Sequence, residues 1–320
     1  MEELDLRKQV TNEQGSKIVV IIPTLNEASG IATVINNVKE AFEGFNYEIL
    51  VVDGRSTDDT VNIAKSCGAR VIYQRRKGYG NALLAGCIYG VEKLASDILV
   101  TIDADGSYDP HDCPKLIRKI LSHESDYVVG RRRRNAKSMS VSHRFGNWLI
   151  SWLVRRLLHV QISDTQSGLF AFRSELIDNV DIRASGWAVN TEMLKRAAEL
   201  NMVIDEVEVS YSERIGRTKL NTFNAGLTNI LVILQMMRDT EPLLLLGIVG
   251  LLFLIAGGAI GSYVIAAWLS VGTLTNTGLA LLSALLVVTG VQLISLGLIA
   301  DMMKKRQRQS LRLLHNYYIE

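Results

Sequence analysis

The chain has 320 residues, 48% hydrophobic and 21% charged, and a net charge of +2. So small a balance excludes nucleic acid as the main partner. Three cysteines, Cys67, Cys87 and Cys113, form no CxxC pair and no metal-ligand spacing, which suits a reducing compartment and excludes a disulfide framework.

Residues 1–16 are charged and lack an apolar core, so they are expected to form a mobile arm and not a signal peptide. Residues 17–23 read as a first strand stopped by Pro23, and residues 31–42 have helical spacing. A second strand, 47–53, ends in Asp53; Thr57 or Asp58 can cap the next helix, which runs to about residue 67. Residues 70–73 form a short third strand. A helix over 78–95 follows a basic, glycine-bearing turn. The fourth strand, 97–103, has a buried-type run from Ile98 to Ile102. Pro110 opens a helix through about residue 121, and 127–130 is the fifth strand. This alternation predicts an α/β fold with a mostly parallel sheet and flanking helices.

After Gly130 the rhythm changes. Four arginines, Arg131 to Arg134, precede a candidate helix over 141–160 that carries Trp148, Trp152, Leu153 and Leu157 beside Arg144, Arg155 and Arg156. It suits either a membrane interface or a packed core. Residues 221–241 read as a juxtamembrane amphipathic helix with Phe223, Leu227, Ile230, Leu231 and Leu234 on its apolar face.

No charged residue occurs from Leu243 to Ala300. A bilayer core of about 30 Å needs about 20 helical residues, so residues 242–300 are expected to hold two transmembrane helices, roughly 243–269 and 278–300. Arg238 precedes the first span, and Lys304, Lys305, Arg306, Arg308 and Arg312 follow the second, whereas the loop between has no Lys or Arg. The positive-inside rule puts both ends and the large domain on the cytoplasmic side. The basic tail, 301–320, either touches anionic headgroups or only sets topology.

Chemistry is signalled most strongly at the end of the fourth strand, where Asp103 and Asp105 flank Ala104. Open α/β sheets bind ligands beyond the carboxyl ends of their strands. Two carboxylates there suit a divalent cation held against a diphosphate.

Four landmarks then form a series: Pro23-Thr24-Leu25-Asn26-Glu27, Val51-Val52-Asp53, Asp103-Ala104-Asp105 and Asp164-Thr165-Gln166-Ser167-Gly168. Their order is that of the family-2 glycosyltransferases. Over about residues 17–220 the chain resembles the polyprenyl-phosphate (dolichyl-phosphate) hexose synthases. The resemblance implies a GT-A catalytic domain over 17–220. It also implies an inverting transfer of a hexose from a nucleotide-sugar, GDP-mannose or UDP-glucose, to polyprenyl or dolichyl phosphate at the bilayer.

By the same resemblance Pro23, Thr24, Asn26, Glu27 and Asp53 contact the base and ribose, with capping of the helices after them as the alternative for Asn26 and Asp53. The segment reads Asp53-Gly54-Arg55-Ser56 in place of the family's common Asp-Asp-Gly-Ser, which leaves guanine and uracil both open. Lys77 and Gly78 fall on the donor-phosphate side, with ordinary surface charge as the alternative. Asp103 and Ala104 reach the nucleotide, Asp103 reaches ribose or metal, and Asp105 binds Mg²⁺ or Mn²⁺. Ser107 stands where some mannose synthases carry a glutamine, and Asp109, near His111, suits a helix cap.

Asp105, Asp164 and Arg131 are the residues expected to carry catalysis. A phosphate monoester has a second pKa of about 6, so a lipid phosphate needs no base, and Asp164 is expected to orient the sugar or fix its loop. Arg131, Ser167, Arg214 and Lys219 are the candidates for the acceptor phosphate. Gln166, Gly168, Trp187 and Glu192 are those for the sugar and acceptor pocket.

Rival readings are a transferase onto a protein or glycan, a non-catalytic anchored subunit of a glycan assembly complex, and a nucleotidyltransferase. Gln235-Met236-Met237-Arg238 is followed by Asp239, so the Gln-x-x-Arg-Trp motif of processive synthases is not completed. The sequence is compatible with a homo-oligomer and does not demand one.

Overall fold

The structure, a computed structural model, describes residues 15–133, 151–152, 154–156, 158, 160–177, 188–212, 234, 237–238, 241–273 and 276–319. Trp187, Arg214 and Lys219 lie outside the described residues, as do 141–150 of the expected 141–160 helix and nearly all of 221–241. Two compact units divide the chain, Met1–Val232 and Ile233–Glu320.

The first unit is built on a seven-stranded sheet. In chain order its elements are β1 (Ile18–Thr24), α1 (Ile31–Ala41), β2 (Tyr47–Asp53), α2 (Thr60–Ser66), β3 (Arg70–Tyr73), α3 (Tyr79–Glu92), β4 (Ile98–Thr101), a 3-10 turn at Pro110–Asp112, α4 (Cys113–Leu121), β5 (Tyr127–Arg132), β6 (Phe170–Arg173), α5 (Ala188–Glu199) and β7 (Ile204–Val209). The strand order is β3-β2-β1-β4-β6-β5-β7. The pairs β1–β2, β1–β4, β2–β3 and β5–β7 are parallel, and β6 runs antiparallel to β4 and β5. The sheet is thus mostly parallel, as the sequence predicts.

Strand β1 shows why this sequence needs cover on both faces. Every residue from Ile18 to Ile22 is fully buried. Ile18, Val20 and Ile22 join Ile31, Val34, Ile35 and Val38 of α1 and Leu116, Ile117 and Ile120 of α4 in one core. Each such side chain contributes about 1.5–3 kcal/mol on burial. On the other face α3 lies close against the strands because it carries glycines there. A Cβ at Gly86 would stand 2.6 Å from Ile21, and one at Gly90 2.7 Å from Leu99. Either Gly→Ala change would force these side chains or α3 to shift.

In the second unit α6 (Pro242–Val271) and α7 (Thr277–Ile319) are long. Pro242–Val271 and Thr277–Lys304 are long and apolar enough to cross a membrane, at about 1.5 Å of rise per residue. Gly272, with φ 74°, ends α6 in the left-handed conformation that glycine adopts freely. The two helices approach closely where side chains are absent: a Cβ at either Gly250 or Gly290 would lie 2.7 Å from the other's carbonyl oxygen. The buried Ser283 hydroxyl donates to the Gly257 carbonyl across the pair at 2.8 Å.

Candidate active site

The carboxyl ends of β1, β2 and β4 meet at one edge of the sheet. After β1 the chain turns through Asn26, whose φ of 52° is one that asparagine tolerates. Asn26 is tied to the turn after β2: its N–H donates to Ser56 Oγ at 2.8 Å, and its Oδ1 accepts from the Thr57 N–H at 2.7 Å. The Glu27 N–H donates to Thr60 Oγ1 at 2.8 Å. Asp53 is 0% exposed. Its carboxylate accepts from the Ser56 N–H at 2.9 Å and from the Ser56 hydroxyl at 2.5 Å. Asp53 therefore acts here as the internal strut of the turn, while Leu25, Arg55 and Thr57 face outward.

After β4, Asp103 and Asp105 are both half-buried, on either side of the buried Ala104. Gly30, just before α1, makes this approach feasible: a Cβ there would stand 3.0 Å from the Ala104 carbonyl oxygen. Gly106, with φ 71°, turns the chain so that the Ser107 N–H and hydroxyl both donate to Asp105 Oδ1, at 3.0 and 2.6 Å. Ser107 thus orients the carboxylate from beside it. Asp109 Oδ1 accepts from the His111 N–H at 3.0 Å, a helix cap as the sequence suggests.

The segment Asp164 to Gly168 is buried against this turn. Among the described residues three groups hold Gly168. Its N–H donates to the Tyr108 hydroxyl at 2.8 Å, its carbonyl accepts from Thr101 Oγ1 at 2.9 Å, and the Asp103 carboxylate lies against its Cα. A Cβ at 168 would be 2.8 Å from Asp103 Cγ, so any larger residue there would push the Asp103 carboxylate aside. From α5, Asn190 Nδ2 donates to the Ser167 carbonyl at 2.9 Å, and Thr191 Oγ1 accepts from Gln166 Nε2 at 2.8 Å. Glu192 follows them, half-buried. The Tyr79 hydroxyl at the start of α3 is buried, and its pKa stands well above the ordinary value, through burial first and the nearby Asp103 charge second. The start of α3, preceded by the exposed Lys77 and Gly78, is therefore a neighbour of the acidic pair.

Such a sheet edge, with two carboxylates at the end of the fourth strand, accords with the family that the motifs suggest. Residues 19–180 match the profile described as Glycosyl transferase family 2. The chain belongs to this family. The transferase is similar to the dolichyl-phosphate hexose transferase of Haloferax volcanii, 34% identical over 216 residues, 65% of this chain and 89% of that protein. It is also similar to the undecaprenyl-phosphate mannosyltransferase of Micrococcus luteus, 29% identical over 218 residues, 64% and 88% of the two chains. Among solved structures it resembles glucosyl-3-phosphoglycerate synthase from Mycobacterium tuberculosis in complex with Mn²⁺, uridine diphosphate and glucosyl-3-phosphoglycerate. The TM-score is 0.58 and the identity 25%, with 73% of this chain and 83% of that one covered. The fold is thus GT-A.

Whether this transferase suits a divalent cation can be judged from its own donors. Among the described residues no group of three or more His, Cys, Asp or Glu is disposed to hold a metal ion. Mg²⁺, however, is commonly held by one or two carboxylates together with substrate phosphates, and needs no all-protein cage. The half-buried Asp103 and Asp105, both hard oxygen donors, fit that role.

The arginines of β5 are sorted by strand parity. Arg131 is 44% exposed and pairs with Glu206 at 3.2 Å and Glu208 at 3.0 Å, on the side of edge strand β7. Arg132 points the other way. Its Nε and Nη2 donate to the two oxygens of Asp164 at 2.7 and 2.8 Å, and its guanidinium lies 5.4 Å from the centre of the Tyr211 ring. Burial opposes its charge, but the hydrogen bond and charge of Asp164 outweigh burial and leave its pKa above the ordinary value. Sequence reasoning missed Arg132. Extending the fifth strand two residues past Gly130 would have put Arg131 and Arg132 on opposite faces.

Proposed function

We propose that this transferase moves a hexose from a nucleotide-sugar to the phosphate of a polyprenyl or dolichyl lipid, with inversion, at the cytoplasmic face of a membrane. The observation that carries the reading is the contact of the Asp103–Asp105 turn with the buried Asp164–Gly168 loop, on a chain that also has two membrane-length apolar helices. The two relatives named for transfer to lipid phosphates support the acceptor.

On this reading residues 17–220 form the catalytic domain, 221–241 an interfacial helix, 242–300 the two spans and 301–320 a basic cytoplasmic tail. The Pro23–Glu27 and Asp53–Thr57 turns face the nucleoside, and Lys77 with Gly78 faces its phosphates. Asp103 and Asp105 would hold Mg²⁺ or Mn²⁺, which when bound supplies charge neutralisation for the leaving diphosphate. The acceptor, dianionic at neutral pH, attacks the anomeric carbon. The bond from phosphate oxygen to carbon forms as the bond from carbon to the diphosphate oxygen breaks, and no proton has to move. Ser167, Gln166, Gly168 and Glu192 line the sugar and acceptor, and Trp187, Arg214 and Lys219 are proposed for the same pocket. Asp164, clamped by Arg132, works as a positioning residue for that loop, and its charge is spent on the guanidinium. Positioning and charge neutralisation supply the acceleration.

The test is incubation of the full chain in detergent with radiolabelled nucleotide-sugars, polyprenyl phosphate and Mn²⁺, followed by lipid extraction. Labelled lipid phosphate sugar supports the reading. Label transferred only to protein or glycan, or to nothing, rejects it.

A further inference from the structure

Helix α7 turns one side to α6, where its Val287, Gly290, Ile294 and Gly297 stand against Gly257, Gly250 and Leu246. Gln292 comes two residues after Gly290, about 200° further round the helix, and is exposed. It lies near the middle of the apolar segment Thr277–Lys304, with about 18 Å of rise or more to either end. Ser262, Ser283 and Ser295 each donate to a backbone carbonyl of the helix pair, at 2.7, 2.8 and 2.9 Å. For the Gln292 carboxamide no hydrogen bond is found among the described residues. A carboxamide facing hydrocarbon has no water to turn to, so leaving it unpaired is costly. Leu285, Val288, Ser295, Ile299 and Met302 share its side of α7. Together they follow a repeat of seven, with Leu285, Gln292 and Ile299 in one position and Val288, Ser295 and Met302 in the other. Leu285, Val288, Ile299 and Met302 are each more than half exposed.

We infer that this side of α7 pairs with α7 of a second copy of the chain, through two Gln292 carboxamides that hydrogen-bond to each other at a two-fold axis. This rests on the two-span reading and not on the transfer reaction. The chemistry at that depth selects the occupant. Lys304, Lys305 and Arg306 follow the second span and the loop between the spans has no Lys or Arg, so every copy crosses the membrane in the same direction. A two-fold axis along the membrane normal then sets Gln292 opposite Gln292 at equal depth. A carboxamide carries one donor and one acceptor side by side and is self-complementary: Nε2 of each copy donates to Oε1 of the other. Amides of this kind are known to hold membrane helices together. An acyl or isoprenoid chain offers only hydrocarbon in the middle of the bilayer and leaves the amide unpaired. One polar residue in an otherwise apolar repeat also fixes the register of the two helices.

The experiment reconstitutes the full chain, labelled with donor or acceptor fluorophore, in phosphatidylcholine vesicles and follows energy transfer as the protein is diluted with lipid. The wild type should show a monomer–dimer equilibrium. Gln292→Leu should weaken the dimer by about 5- to 30-fold with helical content unchanged. Gln292→Asn, which keeps donor and acceptor on a shorter stem, should recover part of the loss. Oxidative cross-linking locates the seam. Val288→Cys should give a disulfide-linked dimer. Leu282→Cys, also exposed but about a third of a turn round the helix from Val288, should not, with wild type as the background from the native cysteines. A wild type that is monomeric at every dilution, a dimer indifferent to Gln292→Leu, or cross-linking at 282 in preference to 288 overturns the proposal. Sugar transfer enters none of these readouts, so their failure is distinct from failure of the proposed reaction.

Discussion

The guanidinium of Arg132 grips the carboxylate of Asp164 with two parallel hydrogen bonds, at 2.7 and 2.8 Å, and the two side chains are only 15% and 4% exposed. Strand β5 is thereby fastened to the loop that reaches Gly168 and, through it, Asp103. Removing one partner strands a buried charge, at a cost of about 3–5 kcal/mol. Asp164→Leu should therefore unfold at markedly lower denaturant than the wild type. The double variant Arg132→Met with Asp164→Leu should recover most of that stability and remain inactive. Activity in the stable double variant would show that the pair serves packing alone.

Gly168→Ala tests the contact between the two loops. Its methyl would lie 2.8 Å from Asp103 Cγ, so the carboxylate has to move. Displacement of about 1 Å can cost about 100-fold in rate, and product formation should fall by that order while the melt stays near wild type. Gly247→Ala, where nothing lies within 4 Å of the added carbon, is the control and should be silent in both.

Removal of the proposed cation should stop turnover. Chelation with EDTA should abolish transfer, and Mn²⁺ or Mg²⁺ should restore it. Asp105→Ala should lower the rate by at least about 100-fold with the secondary structure, read by circular dichroism, unchanged. Full activity of that variant would remove the metal role from Asp105.

Much of the fold was legible because β2 and β3 are apolar runs bounded by turn residues, and the sequence places both at their observed limits. Strands β6 and β7 were not. Phe170–Arg173 lies between β4 and β5, so its pairing depends on partners remote in the chain. In Ile204–Val209 the acids Glu206 and Glu208 alternate with Val207 and Val209; that period of two was the available signal. The acidic pair was legible because Asp103 and Asp105 end a buried strand. The engagement of Asp53 by Ser56 was not, because burial of a carboxylate depends on how the β1 and β2 turns knit together.

The pair Lys119 and Asp205, which joins α4 to β7, predicts a pH dependence. The hydrogen bond from Lys119 holds the Asp205 carboxyl below its ordinary value, which is about 3.9 in the unfolded chain. Its stabilisation is therefore present above about pH 4 and lost as pH falls through the lower native value. The melting temperature of wild type should exceed that of Lys119→Met at pH 6, and the gap should close toward pH 2. A gap independent of pH would assign the difference to packing of the lysine stem.

The most direct measurement is mass spectrometry of the lipid extract after the full chain is given UDP-glucose or GDP-mannose, polyprenyl phosphate and Mn²⁺. The account predicts a polyprenyl monophosphate hexose whose anomeric configuration is opposite to the donor's, formed by wild type and absent with Asp105→Ala. A lipid diphosphate sugar, a retained configuration, or equal product from the variant would contradict it.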